Sequence, residues 1–214
     1  MERPAKKHRG EEGSNGDGNG QVHAVEQVQM EGLTYVENFI TNEEERELLE
    51  HIDRGQWLFD LKRRVQHYGY KYDYKNRSIN RSMQLGALPD FLNELIDRLM
   101  ARHVLSKRPD QVIINEYLPG QGISAHVDKP SLFDNEIASI SLGSTCVMEF
   151  KHKATKTTHP VLLGRRSLVL MKGAARYEWT HCIPARKKDK VDGRQIPRQR
   201  RVSLTFRKVV LGDD

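Results

Sequence analysis

Residues 111–144 read QVIINEYLPGQGISAHVDKPSLFDNEIASISLGS, and this stretch decides the fold class of the chain. Apolar and β-branched residues come in short runs here, and Pro, Gly and Asn separate the runs, as in strands joined by turns. Similar short strand-like runs continue towards the C-terminus, namely CVMEFKH, HPVLLG, RSLVLMKG, YEWTHCI and RQRRVSLTFRKVV. About eight strands in succession predict a jelly-roll barrel.

The residues before this stretch predict a short strand, GLTYVENFI, followed by two helices. Thr41 suits the N-cap of the first helix, Glu44 completes a capping box, and Gly55 marks the end of the helix. The second helix begins at Pro89, and its apolar residues share one face: Leu92, Leu95, Ile96 and Leu99. We therefore expect an α+β chain in which N-terminal helices pack on a jelly-roll core.

Composition bounds the remaining organisation. Residues 1–30 are polar and Gly-rich, which predicts a disordered tail, and residues 31–214 are expected to form one domain with its core at about residues 108–210. No apolar run reaches the ~20 residues of a membrane span, and the N-terminus lacks the apolar stretch of a signal peptide. We expect a cytosolic or nuclear protein with Cys146 and Cys182 reduced. KKHR, residues 6–9, is a nuclear-import signal or simply part of a charged tail.

The pattern His-x-Asp occurs twice, and only one copy has the geometry of a metal site. His51 and Asp53 fall on the first predicted helix, where residues two apart point in very different directions and cannot grip one ion. His126 and Asp128 lie in or beside a predicted strand, where residues two apart face the same side. The second pair can therefore converge on one cation.

A third ligand is needed, and His181 in YEWTHCIP is the best candidate because it ends another strand-like run. Two histidines and one carboxylate form the facial triad of non-haem Fe(II) sites, which leaves coordination positions open. A zinc hydrolase with the same three ligands is the main chemical alternative.

The strand RVSLTFR favours iron with a dicarboxylate co-substrate. Its polar residues share one face, namely Arg201, Ser203, Thr205 and Arg207, and its apolar residues share the other. Two arginines inside a barrel are costly unless each meets an anion, and 2-oxoglutarate supplies two carboxylates. Asn115 and Tyr117, two apart in INEY, add polar tips for hydrogen bonds to a carboxylate. The alternative is an exposed amphipathic edge strand.

Together these motifs resemble the AlkB family of Fe(II)- and 2-oxoglutarate-dependent dioxygenases. NEYLPGQGISAHVD, the SLGS strand, WTHCI and RVSLTFR occur in the order and spacing of that family, and the resemblance covers roughly residues 30–210. It implies a double-stranded β-helix, which is a jelly roll, with Fe(II) held by His126, Asp128 and His181. It also implies O2 and 2-oxoglutarate as co-substrates.

The resemblance assigns the co-substrate contacts as well. Tyr117 and Arg201 would hold the distal carboxylate of 2-oxoglutarate, and Asn115 and Arg207 would lie near the end that chelates the metal. Ser203 stands where the bacterial prototype has asparagine, so that contact differs. The implied chemistry is hydroxylation of a substrate C–H bond coupled to oxidative decarboxylation of 2-oxoglutarate to succinate.

The motifs PGQGISAHVD and RRSLVLMKGAARYEWTHCI are similar to those of the eukaryotic branch of this family that hydroxylates a modified wobble uridine in tRNA. The animal proteins of that branch carry an RNA-recognition module and a methyltransferase, and we expect neither in 214 residues, so a separate tRNA methyltransferase is a candidate partner. The net charge of +6 is compatible with RNA or DNA as the partner, or with a solvated basic surface. Oxidative demethylation of N-alkylated bases, or a protein or small-molecule substrate, are the alternatives.

Two features address the substrate directly. Pro130 occupies the position at which the bacterial prototype has an acidic residue near a cationic methylated base, which favours a neutral base here. LKRRVQHYGYKYDYKNR, residues 61–77, is either a substrate lid or an ordinary strand with one face packed down. Its candidate substrate-binding residues are Arg63, Arg64, Tyr68, Tyr70 and Tyr72. The stretch ARKKDKVDGRQIPRQRR is either a phosphate track or a solvated loop.

Overall fold

The computed structural model describes residues 30–212. Residues 1–29 of the tail predicted for residues 1–30, including the KKHR segment, lie outside the described residues. Met30, which we placed at the end of that tail, is buried against the interior of the domain. Among residues 30–212, no helix is long and apolar enough to cross a membrane.

The chain folds into twelve strands with three α-helices and one 3-10 helix among the described residues. The helices are α1 (Asn42–Arg54), α2 (Asp90–Ala101) and α3 (Gly173–Tyr177), and the 3-10 helix spans Arg81–Met83. The strands are β1 (Leu33–Val36), β2 (Val65–Tyr68), β3 (Gln111–Tyr117), β4 (Ile123–His126), β5 (Phe133–Leu142), β6 (Cys146–His152), β7 (Thr158–Leu163), β8 (Leu168–Met171), β9 (Trp179–Ile183), β10 (Lys188–Val191), β11 (Arg194–Pro197) and β12 (Arg201–Val209).

The strands form two large antiparallel sheets and one separate hairpin. The larger sheet has the order β1-β8-β5-β12-β3-β2, the smaller sheet has the order β4-β9-β6-β7, and β10 pairs only with β11. Side chains from both large sheets face the space between them, which is the arrangement of a jelly roll. The predicted fold class is therefore confirmed.

The two predicted helices are confirmed, including the cap of the first. Thr41 accepts a hydrogen bond from the Glu44 amide, and the Glu44 carboxylate accepts one from the Thr41 amide, so both halves of the capping box are present. Helix α2 buries the four predicted leucine and isoleucine residues. Both helices pack on the outer face of the larger sheet, against β-strand residues such as Ile114, Leu204 and Phe206.

The strand β12 alternates as predicted. Val202, Leu204 and Phe206 point towards the helices and are fully buried, whereas Arg201 and Arg207 point to the opposite face, between the sheets. The sequence prediction missed the 3-10 helix, the β10–β11 hairpin and α3. It gave β2 only as one of two alternatives for residues 61–77. Each of these elements is three to five residues long, which is too short for its periodicity to stand out.

Candidate active site

His126, Asp128 and His181 come together because β4 and β9 are antiparallel neighbours. His126 is the last residue of β4 and lies directly opposite His181 in the register of the pair. Asp128 follows two residues later and is buried. One ligand atom from each of the three side chains can be chosen so that all lie within 4.8 Å of one another. The pairing of β4 with β9 thus brings His181 to Asp128, 53 positions away in sequence.

Hydrogen bonding fixes which nitrogen of His126 faces the cluster. The Nδ1 atom lies 2.8 Å from the Ser124 carbonyl oxygen, which can only accept, so Nδ1 carries the proton and Nε2 is the free ligand atom. Burial, with the nearby charge of His126, lowers the pKa of His181 to about 3. His181 is therefore neutral at neutral pH, which is the form that binds metals.

Two arginines hold Asp128 as a carboxylate. Burial alone would raise its pKa, but the Arg207 guanidinium, 2.6 Å from Asp128 Oδ1, and the neighbouring histidines lower it to about 2. Arg176, on α3, donates to the Asp128 backbone carbonyl at 2.6 Å and is itself buried. The carboxylate is therefore ionised and its main chain is fixed.

The other His-x-Asp pair has no such arrangement. His51 Nδ1 contacts the Glu47 carbonyl at 2.9 Å within α1, and its ring stacks on Phe91. Asp53 forms an ion pair with Arg200 on the molecular surface. The strand-versus-helix distinction separates the two copies of the pattern as predicted.

Beside the cluster, β12 and β3 present the predicted polar side chains to the same space. Arg201 is 2% exposed, and its Nη2 donates to Ser141 Oγ at 2.8 Å. Its Nε and Nη1 have no hydrogen-bond partner, and the same holds for Nε of Arg207. Since buried guanidinium donors are rarely left unpaired, these atoms indicate a site built for an anion.

A cavity of about 630 Å³ joins the histidine cluster to this arginine face. Asn115, Tyr117, Arg201 and Arg207 line it together with the three candidate ligands. Burial raises the pKa of Tyr117, so its phenol stays protonated and can donate a hydrogen bond. Four further cations line the same cavity: Lys62, Arg63, Arg77 and Lys129.

The segment 61–77 is part strand and part cavity wall. Arg63 and Tyr72 line the cavity, and Tyr74 joins them. The remaining candidates lie elsewhere. Arg64 forms an ion pair with Glu116, Tyr68 packs in the helical core, Tyr70 packs in a small cluster with Ile79, and Pro130 is exposed outside the cavity lining. We assign these four no part in the cavity.

Sequence reasoning missed residues whose signal was weak. Arg176 lies in KGAARYEW without any pattern that would distinguish it from a surface arginine, and only the fold brings it to Asp128. Lys129 lines the cavity, with its Nζ donating to the Arg77 carbonyl at 3.1 Å, in place of the neighbouring Pro130. At this place the cavity wall therefore carries a cation, Lys129, and not the predicted Pro130.

His67 supports the tyrosine wall of the cavity and should make stability depend on pH. Its Nδ1 accepts from the Tyr72 amide at 2.9 Å, and its ring meets Tyr74 edge-on. Burial lowers the pKa of His67 from 6.5 to about 4, so the folded protein keeps it neutral while the unfolded chain protonates. This contribution is complete above the unfolded value and is lost as the pH falls towards 4.

We expect His67 to account for about 2 kcal/mol of unfolding free energy lost between about pH 7 and about pH 5. The variant His67→Asn keeps an acceptor but cannot titrate, so its stability should fall less over this range. Urea unfolding of both proteins at the two pH values measures the difference. Identical pH dependence in the two proteins would contradict this assignment.

The fold and the site together define a non-haem iron oxygenase. Residues 32–207 match the family model described as the 2OG-Fe(II) oxygenase superfamily. The chain is 18% identical to a protein whose structure is titled "The structure of OsALKBH1", with a TM-score of 0.65 over 85% of this chain and 99% of that one, a likeness of fold. The superfamily uses Fe(II), 2-oxoglutarate and O2, and the donor set of two histidines, one carboxylate and two arginines with unpaired N–H donors fits them.

The particular family follows from the relatives: the chain is an AlkB-family dioxygenase. It is 42% identical to tRNA (carboxymethyluridine(34)-5-O)-methyltransferase ALKBH8 of Macaca fascicularis, over 83% of this chain and 30% of that protein. It is 36% identical to an uncharacterized protein of Acanthamoeba polyphaga mimivirus, over 85% of this chain and 86% of the relative. The chain thus spans less than a third of the macaque protein.

Proposed function

We propose that this enzyme hydroxylates a modified nucleobase in nucleic acid, and that the preferred target is a wobble uridine of tRNA. One observation carries the proposal: a single cavity joins the His126, Asp128 and His181 cluster to buried arginines, and tyrosines and further cations line the same cavity. Aromatic rings can stack on an exposed base while cations meet phosphates. A cytosolic or nuclear location is part of the proposal, since tRNA is present in both.

Within the site, His126 through Nε2, His181 and Asp128 would hold Fe(II). Arg201 and Tyr117 would bind one carboxylate of 2-oxoglutarate, and Asn115 and Arg207 would lie near its other end. When Fe(II), 2-oxoglutarate and O2 are bound, they would supply the oxidation of a substrate C–H bond, with release of succinate and CO2.

Other side chains in and around the cavity position these groups and exclude water. Arg207 keeps Asp128 charged, and Arg176 holds its backbone, so the ligand set is positioned in advance. Arg63 donates from Nε to Asn115 Oδ1 at 2.9 Å. Because the amide oxygen of Asn115 faces Arg63, its NH2 group points the other way and can donate to a ligand. Apolar residues such as Met148 and Ile183 line the cavity and exclude water.

The choice of uridine rests on two supports. The macaque relative is named for carboxymethyluridine at tRNA position 34, although the name describes a methyltransferase and this chain covers 30% of that protein. A separate methyltransferase acting on the same nucleoside is therefore a proposed partner. The second support is charge, because Asp128 is the only carboxylate among the described residues that line the cavity. A base with a positive charge meets the four cations named above without a counter-ion.

Binding should therefore discriminate against a cationic base. Two isomeric RNA oligonucleotides serve as probes, one with 1-methyladenine, which is cationic at neutral pH, and one with N6-methyladenine, which is neutral. With Mn(II) in place of Fe(II) to prevent turnover, we expect the cationic base to bind about tenfold more weakly, which is about 1.4 kcal/mol. Lys129→Glu should reduce the difference in affinity between the neutral and the cationic base. Lys151→Glu, on the exposed face of β6, should leave that difference unchanged. Equal binding by the wild type would refute the charge argument.

Mass spectrometry of nucleosides tests the function as a whole. The full chain is incubated with Fe(II), 2-oxoglutarate and hypomodified tRNA, and in parallel with methylated RNA and DNA oligonucleotides. We expect a hydroxylated uridine in the tRNA. Loss of methyl groups from the oligonucleotides with unchanged tRNA would identify a demethylase instead. Turnover of 2-oxoglutarate without any new nucleoside would point to a protein or small-molecule substrate.

A further inference from the structure

The β10–β11 hairpin stands apart from both large sheets. Its turn residues Asp192 and Gly193 both have positive φ, 48° and 78°, as in the two-residue turns that best match the twist of a hairpin. An isolated two-stranded ribbon is at best marginally stable in water. Some other interaction must therefore hold this hairpin in place.

Asp189 provides that anchor. It is 2% exposed and accepts from Arg198 Nε at 2.6 Å and Nη2 at 2.7 Å, from Arg186 Nε at 2.7 Å, and from the Val147 amide at 3.1 Å. Arg186 also contacts Glu149 on β6 at 3.2 Å. Buried ion pairs add little stability compared with apolar packing, but they fix geometry. The network thus holds the hairpin in one position against β6.

The outward surface of the hairpin is strongly cationic. Its exposed cations are Lys187, Lys188, Lys190 and Arg194, and its only exposed carboxylate is Asp192. The two arginines of the anchor are already neutralised by Asp189 and Glu149. Among residues 30–212, no carboxylate forms an ion pair with any of the four exposed cations. The chain therefore holds a surface of unpaired positive charge in a fixed place.

This surface is connected to the wall of the cavity. The turn 118–122 lies between them: the Gly120 amide donates to the Arg186 carbonyl at 3.2 Å, and Gln121 Nε2 donates to the Lys62 carbonyl at 2.8 Å. Lys62 and Gly122 both line the cavity. A Cβ on Gly122 would lie 2.1 Å from the Ile183 carbonyl oxygen, so glycine permits this close approach. The cations of the hairpin and those of the cavity wall thus lie on either side of one short turn.

We propose that the β10–β11 hairpin is a phosphate-binding arm that seats the RNA strand flanking the base in the cavity. The inference deepens the proposed function, because the polyanion is taken to be the nucleic acid whose base is oxidised. The arm supplies contacts to phosphates, which position a nucleic acid without reading its sequence. Anchoring by Asp189 keeps these contacts at a fixed distance from the site.

Charge reversal on the arm tests the proposal in the full chain. Lys188→Glu, Lys190→Glu and Arg194→Glu are combined, and an unmodified tRNA transcript labelled with a fluorophore is the probe. Affinity at low salt should fall at least about tenfold, and the slope of log affinity against log salt should fall by about 2, from about 0.7 for each lost phosphate contact. The matched control carries the same change of charge at Lys151, Lys153 and Lys156, around the β6–β7 turn, and should keep its affinity within about twofold. Equal losses in both variants, or no loss in either, would overturn the proposal.

The variant Asp189→Asn distinguishes RNA binding by a fixed arm from nonspecific electrostatic attraction to a basic protein. It makes the protein more basic by one charge, so general attraction predicts tighter RNA binding, whereas loss of the anchor predicts weaker binding. If this variant does not fold, as shown by its thermal melting, the charge-reversal comparison decides alone. Weakened tRNA binding by the triple variant, together with a wild type that forms no modified nucleoside, would contradict the proposed function but support the phosphate-binding arm. Normal tRNA binding and turnover in the triple variant would contradict the phosphate-binding arm and leave the proposed function intact.

Discussion

Replacing Asp128 by asparagine should abolish 2-oxoglutarate turnover, whereas the same change at Asp53 should leave it intact. Both aspartates end a His-x-Asp pattern, but only Asp128 lies with two histidines in the wall of the cavity. Groups that merely orient metal ligands contribute about ten- to a hundredfold to metal affinity or activity, so loss of a ligand should exceed about a hundredfold. Succinate production at saturating 2-oxoglutarate measures the effect.

Stability must be measured alongside, because Asp128 also neutralises Arg207. Removing one partner of a buried ion pair costs about 3–5 kcal/mol, so Asp128→Asn should melt at a lower temperature. Asp128→Glu keeps the charge, and we expect it to fold and yet to lose binding of Co(II), followed by absorption. Asp53→Asn breaks only a surface pair with Arg200, worth less than about 1 kcal/mol. Wild-type turnover in Asp128→Asn would exclude this residue as a ligand.

Replacing Arg201 by methionine should change affinity and stability in opposite directions. The loss of charge-assisted hydrogen bonds worth about 1.5–3 kcal/mol should raise the KM for 2-oxoglutarate about ten- to a hundredfold. In the ligand-free protein, however, two donors of this buried guanidinium have no partner. Their removal should raise the free energy of unfolding by about 1 kcal/mol, even after loss of the Ser141 hydrogen bond.

Arg200 provides the matched control. It is the preceding residue, and its side chain points to the other face, where it pairs with Glu116 and Asp53. Arg200→Met should lower stability and leave the KM for 2-oxoglutarate unchanged. Steady-state kinetics and urea unfolding of both variants separate the two roles. If Arg201→Met were destabilised and kept a normal KM, the co-substrate site would lie elsewhere.

Much of this site could be predicted from the sequence because strands have a period of two. That period placed Asn115 beside Tyr117, and Arg201 on the face of β12 opposite Val202. Asp128 joins His126 although it lies two residues beyond the end of β4. The same period failed for segment 61–77. There the chain leaves β2 after Tyr68 and turns at Gly69, whose φ is +76°, so the later tyrosines no longer alternate on one strand.

Other features depend on contacts between distant segments and leave no local pattern. Arg176 reaches Asp128 only because α3 follows β8 back towards the cavity, and Lys129 rather than Pro130 faces inward because the chain turns after Asp128. The stretch that contains the hairpin was noted in the sequence only as basic, either a phosphate track or a solvated loop. Its anchor was not, since Asp189 looks like one more charged residue until Arg198 and Val147 enclose it.

The most direct test of the central claim uses isotopically heavy O2. The full chain is incubated with Fe(II), 2-oxoglutarate and hypomodified tRNA under heavy oxygen gas, and the nucleosides are analysed by mass spectrometry. We predict a uridine derivative that has gained one oxygen atom carrying the heavy isotope, formed with the wild type and with Asp53→Asn but not with Asp128→Asn. Succinate production without heavy oxygen in any nucleoside of the tRNA would contradict the account.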